Sequence, residues 1–251
     1  MNYGLQLYSV RDITKDNFEG ALRQVAEMGY KMVETAGFFG NKAEDVAAML
    51  KNYGLTCCST HTGFALLRDD FENTLAYHKA IGCKNIILPS APYNTKEELD
   101  ETINCINKWL PIIESEGMKL HYHNHSHEFM KNSAGQITHD ELAERTSILF
   151  ELDTFWVYNA KLDPVTMMEK YKDRMEFIHL KDGIMQDWSV KGSHAKGKSV
   201  GEGDAPVLAV RKKAIEMGVD MIIESEGLDP TGPEEVRRCI DFLKKVDESE
   251  K

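Results

Sequence analysis

The sequence lacks the features that mark membrane-spanning, disulfide-rich and nucleic-acid-binding proteins. No stretch approaches the roughly 20 apolar residues of a membrane span, and residues 1–10 lack the basic segment and apolar run of a signal peptide. The five cysteines are odd in number and lack paired metal-ligand spacing, which excludes a disulfide framework and a zinc ribbon. The net charge of −11 opposes binding to a phosphate backbone. We therefore expect a cytoplasmic protein without nucleic-acid or membrane partners, and homo-oligomerisation stays open.

The composition itself is that of an ordinary globular protein. Hydrophobic residues make up 42% and charged residues 28%, far from the composition of disordered chains. A chain of 251 residues is long enough to bury one large core. Because no linker, composition break or low-complexity segment divides the sequence, we expect a single domain over residues 1–251.

A unit of helix, glycine and strand recurs along the chain. An amphipathic stretch ends at a glycine, and a short apolar run follows at once. Glycine accepts the left-handed conformation that ends a helix, so each glycine marks a helix end. These units occupy residues 28–34, 53–55, 81–88, 116–120 and 217–224. The predicted helices are residues 17–27, 41–52, 70–80, 95–115, 164–171, 205–216 and 233–246.

Eight strands alternate with these helices, which predicts a parallel sheet. Eight such units in a chain of this length favour a closed (β/α)8 TIM barrel. An open doubly wound sheet would usually carry a glycine-rich phosphate loop after its first strand, and residues 5–11 contain no glycine. The long loop at residues 187–204 is predicted to cover the substrate. The predicted strands are residues 4–9, 32–36, 56–60, 85–89, 119–124, 147–153, 176–181 and 220–226.

The last four strands end in residues suited to metal binding or acid–base chemistry. In a TIM barrel the reactive groups lie at the C-terminal ends of the strands, and alternate side chains of a strand share one face. Carboxylates and imidazoles together suit one divalent metal ion, and do not choose among Mn, Co, Zn, Fe and Mg. The residues that share a face are His121, His123 and His125; Glu151 and Asp153; His179 and Lys181; and Glu224 and Glu226.

Several of these residues also have a structural explanation. Asp153 follows a buried strand and can cap the next helical turn. His179 lies between two aliphatic residues and can be a hydrogen-bonded core histidine, whereas its place in the row of polar strand ends favours metal ligation. Glu224 follows two isoleucines, and a buried carboxylate needs a cation or metal partner. Lys181 either donates to a substrate oxygen or is a charge at the rim.

The fifth strand and the loop after it hold four of the nine histidines, in the segment HYHNHSHE at residues 121–128. No helix or turn rule requires such a run, so some of these side chains are expected to touch substrate or metal. His121 lies deepest and can be core, and His127 can be loop surface. His123, His125 and Glu128 are the candidates for the site.

Four strand ends carry a resemblance to a known family, reading YHNHSHEF, FELDTFWV, FIHLKDG and IIESEG in that order. Over essentially its whole length the chain resembles the xylose isomerase-like superfamily of sugar phosphate isomerases and epimerases. Relatives in that superfamily include ketose 3-epimerases, inosose dehydratases, 3-keto-glycoside hydrolases or lyases, and endonuclease IV. The resemblance implies a metal at the barrel mouth, with Asp153, His179 and Glu224 as three of its four ligands.

The fifth strand departs from the epimerase pattern. The epimerases place a glutamate there as the fourth ligand, whereas this chain has histidines and a nearest carboxylate at Glu128. The departure places the sequence nearer the HNH-bearing branch, which resembles inosose dehydratases and keto-glycoside enzymes. Glu128 is therefore the expected fourth ligand, with His123 or His125 as the substitute. The turn at residues 201–204 resembles the GEG turn before the last barrel helix of this branch.

Four residues are expected to contact the substrate. An aromatic face and neutral polar groups suit a sugar, which points to Gln6, His61 and Trp156 on the first, third and sixth strands. Glu226 on the last strand joins them. Packing is the alternative role for Trp156.

These parts suit removal of a proton from a carbon next to a carbonyl. A metal ion polarises two vicinal sugar oxygens and holds the enediolate, while a nearby base takes the proton. His123 or His125 is the candidate base, with Lys181 as a further catalytic residue and Glu224 as a ligand that also moves the proton. Return of the proton makes the protein a sugar isomerase or epimerase, which is the predicted function.

Three alternatives stand beside that prediction. Departure of a leaving group would make the protein a keto-sugar lyase, hydrolase or dehydratase. A nuclease resembling endonuclease IV would need a basic DNA-binding face, which the net charge of −11 opposes. A catalytically inactive sugar-binding protein would be expected to lose ligands, and none of the last four strands has lost its polar end. For an isomerase, epimerase, lyase, hydrolase or dehydratase, the partner is a small sugar or keto-sugar. The lack of a glycine-rich phosphate loop favours a substrate without phosphate.

Overall fold

The computed structural model describes residues 1–250, and its centre is a closed barrel of eight parallel strands. Each barrel strand pairs with its sequence neighbour, β7 pairs with both β6 and β9, and the β1–β9 pair closes the ring. The predicted TIM barrel is confirmed. The strands are β1 (Gly4–Gln6), β2 (Met32–Ala36), β3 (Thr56–His61), β4 (Asn85–Leu88), β5 (Lys119–His123), β6 (Leu149–Asp153), β7 (Met175–Ile184), β8 (Lys196–Lys198) and β9 (Asp220–Glu224), of which all but β8 form the barrel.

Helices follow the strands around the outside, and all seven predicted helices are present with ends shifted by up to three residues. Four short helices, α1, α4, α7 and α8, were not predicted. No helix within residues 1–250 is both long and apolar enough to cross a membrane. The helices are α1 (Arg11–Thr14), α2 (Phe18–Met28), α3 (Ala43–Tyr53), α4 (Phe64–Asp69), α5 (Phe71–Ala80), α6 (Lys96–Ser115), α7 (Thr138–Arg145), α8 (Thr154–Asn159), α9 (Pro164–Lys170), α10 (Val207–Met217) and α11 (Gly232–Ser249).

The glycines that mark the recurring unit end their helices as predicted. Gly29 and Gly54 follow α2 and α3 with φ of 102° and 63°, in the left-handed region where a side chain would be strained. Their amides donate to carbonyls of the last helical turn, which would otherwise lack partners. Gly82, Gly117 and Gly218 also have positive φ.

Alternation along each strand separates an apolar layer from a polar interior. On β5, Leu120 and Tyr122 belong to the core beneath the helices, whereas His121 and His123 are buried inside the barrel. The same phase recurs on the other strands, because neighbouring side chains point to opposite faces of a sheet. Polar strand ends therefore meet at one end of the barrel axis.

The first predicted strand is too long. The chain leaves β1 after Gln6, whose side chain accepts a hydrogen bond from the Tyr8 amide at 2.9 Å, and residues 7–10 form a 3-10 turn. The apolar residues of this segment suit either a strand or a 3-10 turn, and the hydrogen bond from the Tyr8 amide to the Gln6 side chain favours the turn.

The seventh strand is longer than predicted and forms a hairpin. Its last residues, Asp182 to Ile184, pair antiparallel with β8, which lies inside the loop predicted at residues 187–204. The turn at residues 201–204 is held by Asp182, whose carboxylate accepts from the amides of Gly201 and Gly203 at 2.9 Å each. This turn precedes α10 and not the last helix, α11, so the expected position of the GEG turn was wrong.

Candidate active site at the barrel mouth

Four polar side chains from four strands converge inside the mouth of the barrel. One ligand atom from each of His123, Asp153, His179 and Glu224 lies within 4.8 Å of the others, and all four residues are buried. They come from the C-terminal ends of β5, β6, β7 and β9, and the interior phase of each strand brings them together. We call these four residues the mouth group.

Asp153 uses its two oxygens differently. Oδ1 caps α8 by accepting from the Trp156 amide at 2.8 Å. Oδ2 is buried and has no hydrogen-bond partner within residues 1–250; the nearest nitrogens are His179 Nδ1 at 3.7 Å and Lys181 Nζ at 3.6 Å. Helix capping and metal ligation are therefore compatible in this residue, because one oxygen remains free for a ligand.

His179 is placed between two sets of carboxylates. Its Nδ1 lies 3.2 Å from Glu224 Oε2, and its Nε2 lies 2.7 Å from Glu34 Oε1. Burial opposes protonation of this ring, but Glu151, Glu224 and Glu34 outweigh it and raise the pKa of His179 well above its usual value. A carboxylate on the second nitrogen is the usual way in which a metal-ligating histidine is oriented.

Lys181 is the one permanently charged cation among these carboxylates in the part of the chain that the structure describes. It is fully buried and donates to Glu224 Oε2 at 2.9 Å and to Glu226 Oε2 at 2.6 Å. Burial disfavours its charge, yet Glu224 and Asp153 raise the pKa of Lys181 above its usual value. In return, Lys181 and His179 outweigh burial and hold the pKa of Glu224 well below its usual value. Lys181 is therefore no rim charge, and that alternative was wrong.

The residues present fit a divalent cation. Five carboxylates surround Lys181 and His179, and two buried atoms of the mouth group, Asp153 Oδ2 and His123 Nδ1, have no hydrogen-bond partner within residues 1–250. Buried carboxylates need positive charge, and oxygen and imidazole ligands together bind divalent metals well. The carboxylates are Glu34, Glu151, Asp153, Glu224 and Glu226.

A cavity of about 330 Å³ opens above the mouth group. Its volume is at the lower end of the range for small-molecule sites. Within residues 1–250, the side chains that line it include no lysine or arginine, so it has no obvious partner for a phosphate. The lining residues include His123 and Glu224 of the mouth group together with Tyr8, His61, His125 and Glu226.

Comparison with known proteins places the barrel in a family. The family model described as xylose isomerase-like TIM barrel matches residues 22–246. The chain belongs to the xylose isomerase-like TIM barrel family. The resemblance drawn from the four strand ends is therefore confirmed.

Relatives within the xylose isomerase-like family are distant. An inosose dehydratase from Geobacillus kaustophilus (strain HTA426) is 25% identical over 186 residues, which are 64% of this chain and 60% of that protein. The chain thus spans about three fifths of the length of this curated relative.

Solved structures share the fold over nearly the whole chain. A sugar phosphate isomerase/epimerase from Parabacteroides distasonis ATCC 8503 has a TM-score of 0.80 at 22% identity, covering 96% of this chain and 93% of that one. The probable 3-DHS dehydratase AsbF of Bacillus anthracis has a TM-score of 0.76 at 13% identity, covering 97% and 99%.

On β5, the structure does not bring the expected fourth ligand into this xylose isomerase-like site. Glu128 lies outside the mouth group; its Oε2 accepts from the His125 amide at 2.9 Å and its Oε1 from the Tyr122 hydroxyl at 3.4 Å. Its carboxylate thus fixes the backbone beyond β5, and the choice of Glu128 is corrected. Of the two stated substitutes, His123 and His125, the structure brings His123 into the mouth group. His125 lies at the rim, with its ring 5.6 Å from that of Trp156.

Gln6 does not line the cavity either. It is fully buried, and its Nε2 donates to Glu34 Oε1 at 2.6 Å. The prediction that Gln6 contacts the substrate is therefore wrong, because Gln6 lies beneath the cavity. Trp156 lies under Lys181, whose Nζ is 4.7 Å from the centre of the indole ring, so the indole supports this cation. His61 and Glu226 do line the cavity.

A second polar layer beneath the mouth group was not predicted. His61 Nε2 lies 3.1 Å from Glu34 Oε1 and 3.0 Å from Glu151 Oε2. Burial disfavours protonation of His61, but the two carboxylates raise its pKa to about 10, so the ring carries a compensating charge. Ser59 donates to the other oxygen of Glu34 at 2.5 Å. The sequence contains a signal for Glu34, because a carboxylate in the middle of the predicted strand at residues 32–36 indicates a polar side chain that points into the barrel.

This deeper layer also offers a set of metal-ligand types. His61, His123, Glu151 and His179 form a second group whose ligand atoms lie within 4.8 Å of one another. Its carboxylate Glu151 already faces His61, and Glu34 already faces His179. Each group has one buried carboxylate oxygen without a partner within residues 1–250, Asp153 Oδ2 in the mouth group and Glu151 Oε1 in the deeper group, and each gives two residues to the cavity wall. The mouth group has two carboxylates and the deeper group has one, so the mouth group is the better candidate for a divalent metal.

Proposed function

We propose that this protein is a divalent-metal-dependent enzyme that removes a proton from a carbon next to the carbonyl of a cyclic keto-sugar or keto-polyol and then expels an oxygen substituent from the adjacent carbon. One observation carries the proposal: the mouth group, with the unpartnered oxygen of Asp153, lies directly under the cavity. The similarity to an inosose dehydratase supports elimination as the outcome.

The mouth group would hold the ion through His123, Asp153, His179 and Glu224. A bound divalent cation would polarise the substrate carbonyl and offset the negative charge that develops on its oxygen. Every other part of the mechanism belongs to side chains of this chain.

His125 is the proposed base. His123 belongs to the mouth group. His125, in the segment that follows β5, is the other histidine of residues 121–127 that lines the cavity. Its backbone is held by Glu128, and its ring lies against His123 and Trp156 at 5.1 and 5.6 Å between ring centres. An imidazole can take a proton from carbon and then give it to the departing oxygen, which leaves as water or an alcohol.

Lys181 acts as a positioning residue, and Glu226 contacts the substrate. Lys181 does not reach the cavity surface, but it fixes both Glu224 and Glu226 through direct hydrogen bonds. Glu226 is 26% exposed at the cavity wall, where its carboxylate can accept a hydrogen bond from a substrate hydroxyl. The buried cation therefore holds one carboxylate for the metal and one for the sugar.

Epimerisation or isomerisation is the second candidate outcome. It needs a group that returns the proton after the first has taken it, and both His125 and Glu224 line the cavity. The first step is the same in the two candidates, so the fate of the proton and of the leaving oxygen separates them.

The test is proton exchange in D₂O with one-ring keto-sugars and inososes, measured by NMR and mass spectrometry on metal-loaded protein. We expect deuterium in the remaining substrate at the carbon next to the carbonyl, a product lighter than the substrate by one water, and loss of both in His125→Gln. The matched control is His127→Gln, because His127 is exposed two residues further on. Exchange without elimination would favour the epimerase. No exchange in the metal-loaded wild type would contradict the proposal.

A further inference from the structure

A second cavity of about 220 Å³ adjoins the candidate active site and takes no part in the mechanism above. It lies between the loops that follow β2 and β3 and the helices α4 and α5, on the same end of the barrel as the mouth group. The residues used below are Phe38, His61, Leu66, Asp70, Asn73 and Tyr77.

The two cavities are neighbours that share one wall residue. His61 lines both of them. The loop after β2 also passes from one to the other, because Ala36 lines the first cavity and Gly37 and Phe38 line the second. A ligand with two linked rings, one in each cavity, would place its linkage beside His61.

The wall of the second cavity offers an apolar face. The rings of Phe38 and Tyr77 lie 4.3 Å apart between centres, and Leu66 is 53% exposed although it is a large apolar side chain. The Tyr77 hydroxyl already donates to the Asn41 carbonyl at 2.7 Å, so Tyr77 offers a ligand its ring and, at its oxygen, only an acceptor. Exposed apolar surface within a concave site is typical of ligand contact.

The edge of the same cavity offers hydrogen bonds to neutral groups. Asn73 Nδ2 donates to Asp70 Oδ1 at 2.7 Å, and both side chains are exposed at the rim. Within residues 1–250 no lysine or arginine lines the cavity, and Asp70 would repel an anion. The polar groups of the inner wall already have hydrogen-bond partners, because His78 Nε2 lies 2.5 Å from the Thr60 hydroxyl and 3.1 Å from that of Thr62.

We propose that the substrate carries a second, neutral sugar ring, linked glycosidically to the ring that reacts, and that this second ring binds in the cavity lined by Phe38, Leu66 and Tyr77. An aromatic face for the apolar side of the ring and a carboxylate–amide edge for its hydroxyls are what a pyranose needs. The proposal rests on the proposed function for the position of the reacting ring, and it names the substrate class of that site.

The first test compares two substrates on metal-loaded protein: a one-ring keto-sugar and the same keto-sugar carrying a second glucosyl ring. We expect kcat/KM to be about 10-fold higher for the two-ring substrate, which is the effect of about 1.4 kcal/mol of added binding and the scale of one ring packed on an aromatic face. Leu66→Trp, which fills the cavity from an exposed position, is expected to reduce this preference to about one.

The matched control is Leu208→Trp. Leu208 is 52% exposed on α10, so the same substitution at equal exposure is expected to keep the two-ring preference. A wild type that does not prefer the two-ring substrate, or a Leu66→Trp variant that keeps the preference, would overturn the proposal.

A binding measurement separates this proposal from the proposed function. Calorimetric titration of the metal-loaded protein with the unoxidised disaccharide and with its one-ring methyl glycoside needs no turnover. We expect about 10-fold tighter binding of the disaccharide and loss of that difference in Leu66→Trp. The same result without any turnover would refute only the proposed function, whereas equal binding of the two ligands would refute the second-ring site.

Discussion

At the scale of single residues, the two oxygens of Asp153 explain why one position can serve the helix and the metal. Oδ1 is fully used as the N-cap of α8, and Oδ2 is buried without a partner within residues 1–250. A carboxylate that only capped a helix would gain nothing from burying its second oxygen among other acids. A divalent cation bound as proposed would give this oxygen a direct partner.

Replacing Asp153 with asparagine separates the two roles. Asparagine keeps an oxygen that can cap α8, but it removes the charge that faces the mouth group. We expect metal affinity to fall by more than the roughly 10- to 100-fold typical of changes to outer-shell partners of a metal, measured by metal titration of chelator-treated protein. Asp163→Asn is the matched control, because Asp163 caps α9 at an exposed site. Equal metal affinity in the two variants would remove Asp153 from the ligand set.

A buried histidine away from the mouth gives a prediction about pH. His139 is stacked between Phe129 and Phe150 at 4.7 and 4.3 Å between ring centres, and neither ring nitrogen has a hydrogen-bond partner within residues 1–250. Burial lowers the pKa of His139 to about 3. The unfolded chain therefore binds a proton below about pH 6.5 that the folded chain refuses. Stability is lost as the pH falls through this range.

His139→Phe should remove that part of the pH dependence. Each pH unit below 6.5 costs about 1.4 kcal/mol through one such histidine, so the variant should gain about 2 kcal/mol over the wild type between pH 6.5 and pH 5. Urea unfolding at several pH values measures this. His127→Phe, at an exposed histidine, should leave the slope unchanged. A slope in His139→Phe as steep as that of the wild type would show that His139 is protonated in the folded protein.

At the scale of elements, the alternation of side chains along each strand predicted most of the site. This pattern stops where a strand ends. Asp153, His179 and Glu224 lie within or at the ends of β6, β7 and β9, where alternation holds. β5 ends at His123, and the chain then bends, so alternation counted along the sequence does not extend to Glu128. Glu128 was chosen as the carboxylate nearest to the position of the epimerase glutamate, and this bend after β5 keeps it out of the mouth group.

The same limit explains the other differences in the elements. The helices that end at glycine were found, because glycine is a local stop signal. α7 and α8 end without glycine, and their positions depend on packing against the barrel. β8 forms because it pairs with β7. Its sequence, in a loop rich in glycine and lysine, has no local pattern that predicts a strand. Glu34 and His61 were harder to place because their partners, Glu151 and His179, are distant in sequence.

Asn124 joins β5 to β6 beside His123 and Asp153 of the mouth group. Its Nδ2 donates to the Asp153 carbonyl at 3.2 Å, and its Oδ1 accepts from the Asp153 amide at 3.1 Å. Asn124→Ala leaves two buried backbone groups without partners, so we expect the free energy of unfolding to fall by about 2 kcal/mol and metal affinity to fall about 10-fold. Chemical unfolding and metal titration measure the two effects. Asn107→Ala, which removes one exposed hydrogen bond to the Arg145 carbonyl, is the control. Destabilisation with unchanged metal affinity would contradict this role.

At the scale of the whole molecule, the barrel was predictable because its signal is repeated. Eight strands and the glycines between helices and strands each carry weak evidence, and together they specify a closed parallel barrel. The net charge of −11 is spread over the chain, yet the carboxylates that matter most meet at one buried point. The extent of the domain over residues 1–251 stays a prediction, and Lys251 lies outside the described residues.

The measurement that tests the central claim most directly is an anomalous difference map from crystals soaked in Mn²⁺ or Zn²⁺. The account predicts one strong peak with ligand distances of about 2.0–2.3 Å to His123, Asp153, His179 and Glu224. A peak bound by His61 and Glu151 in the deeper layer, a peak that includes Glu128, or no peak in the barrel mouth would contradict it.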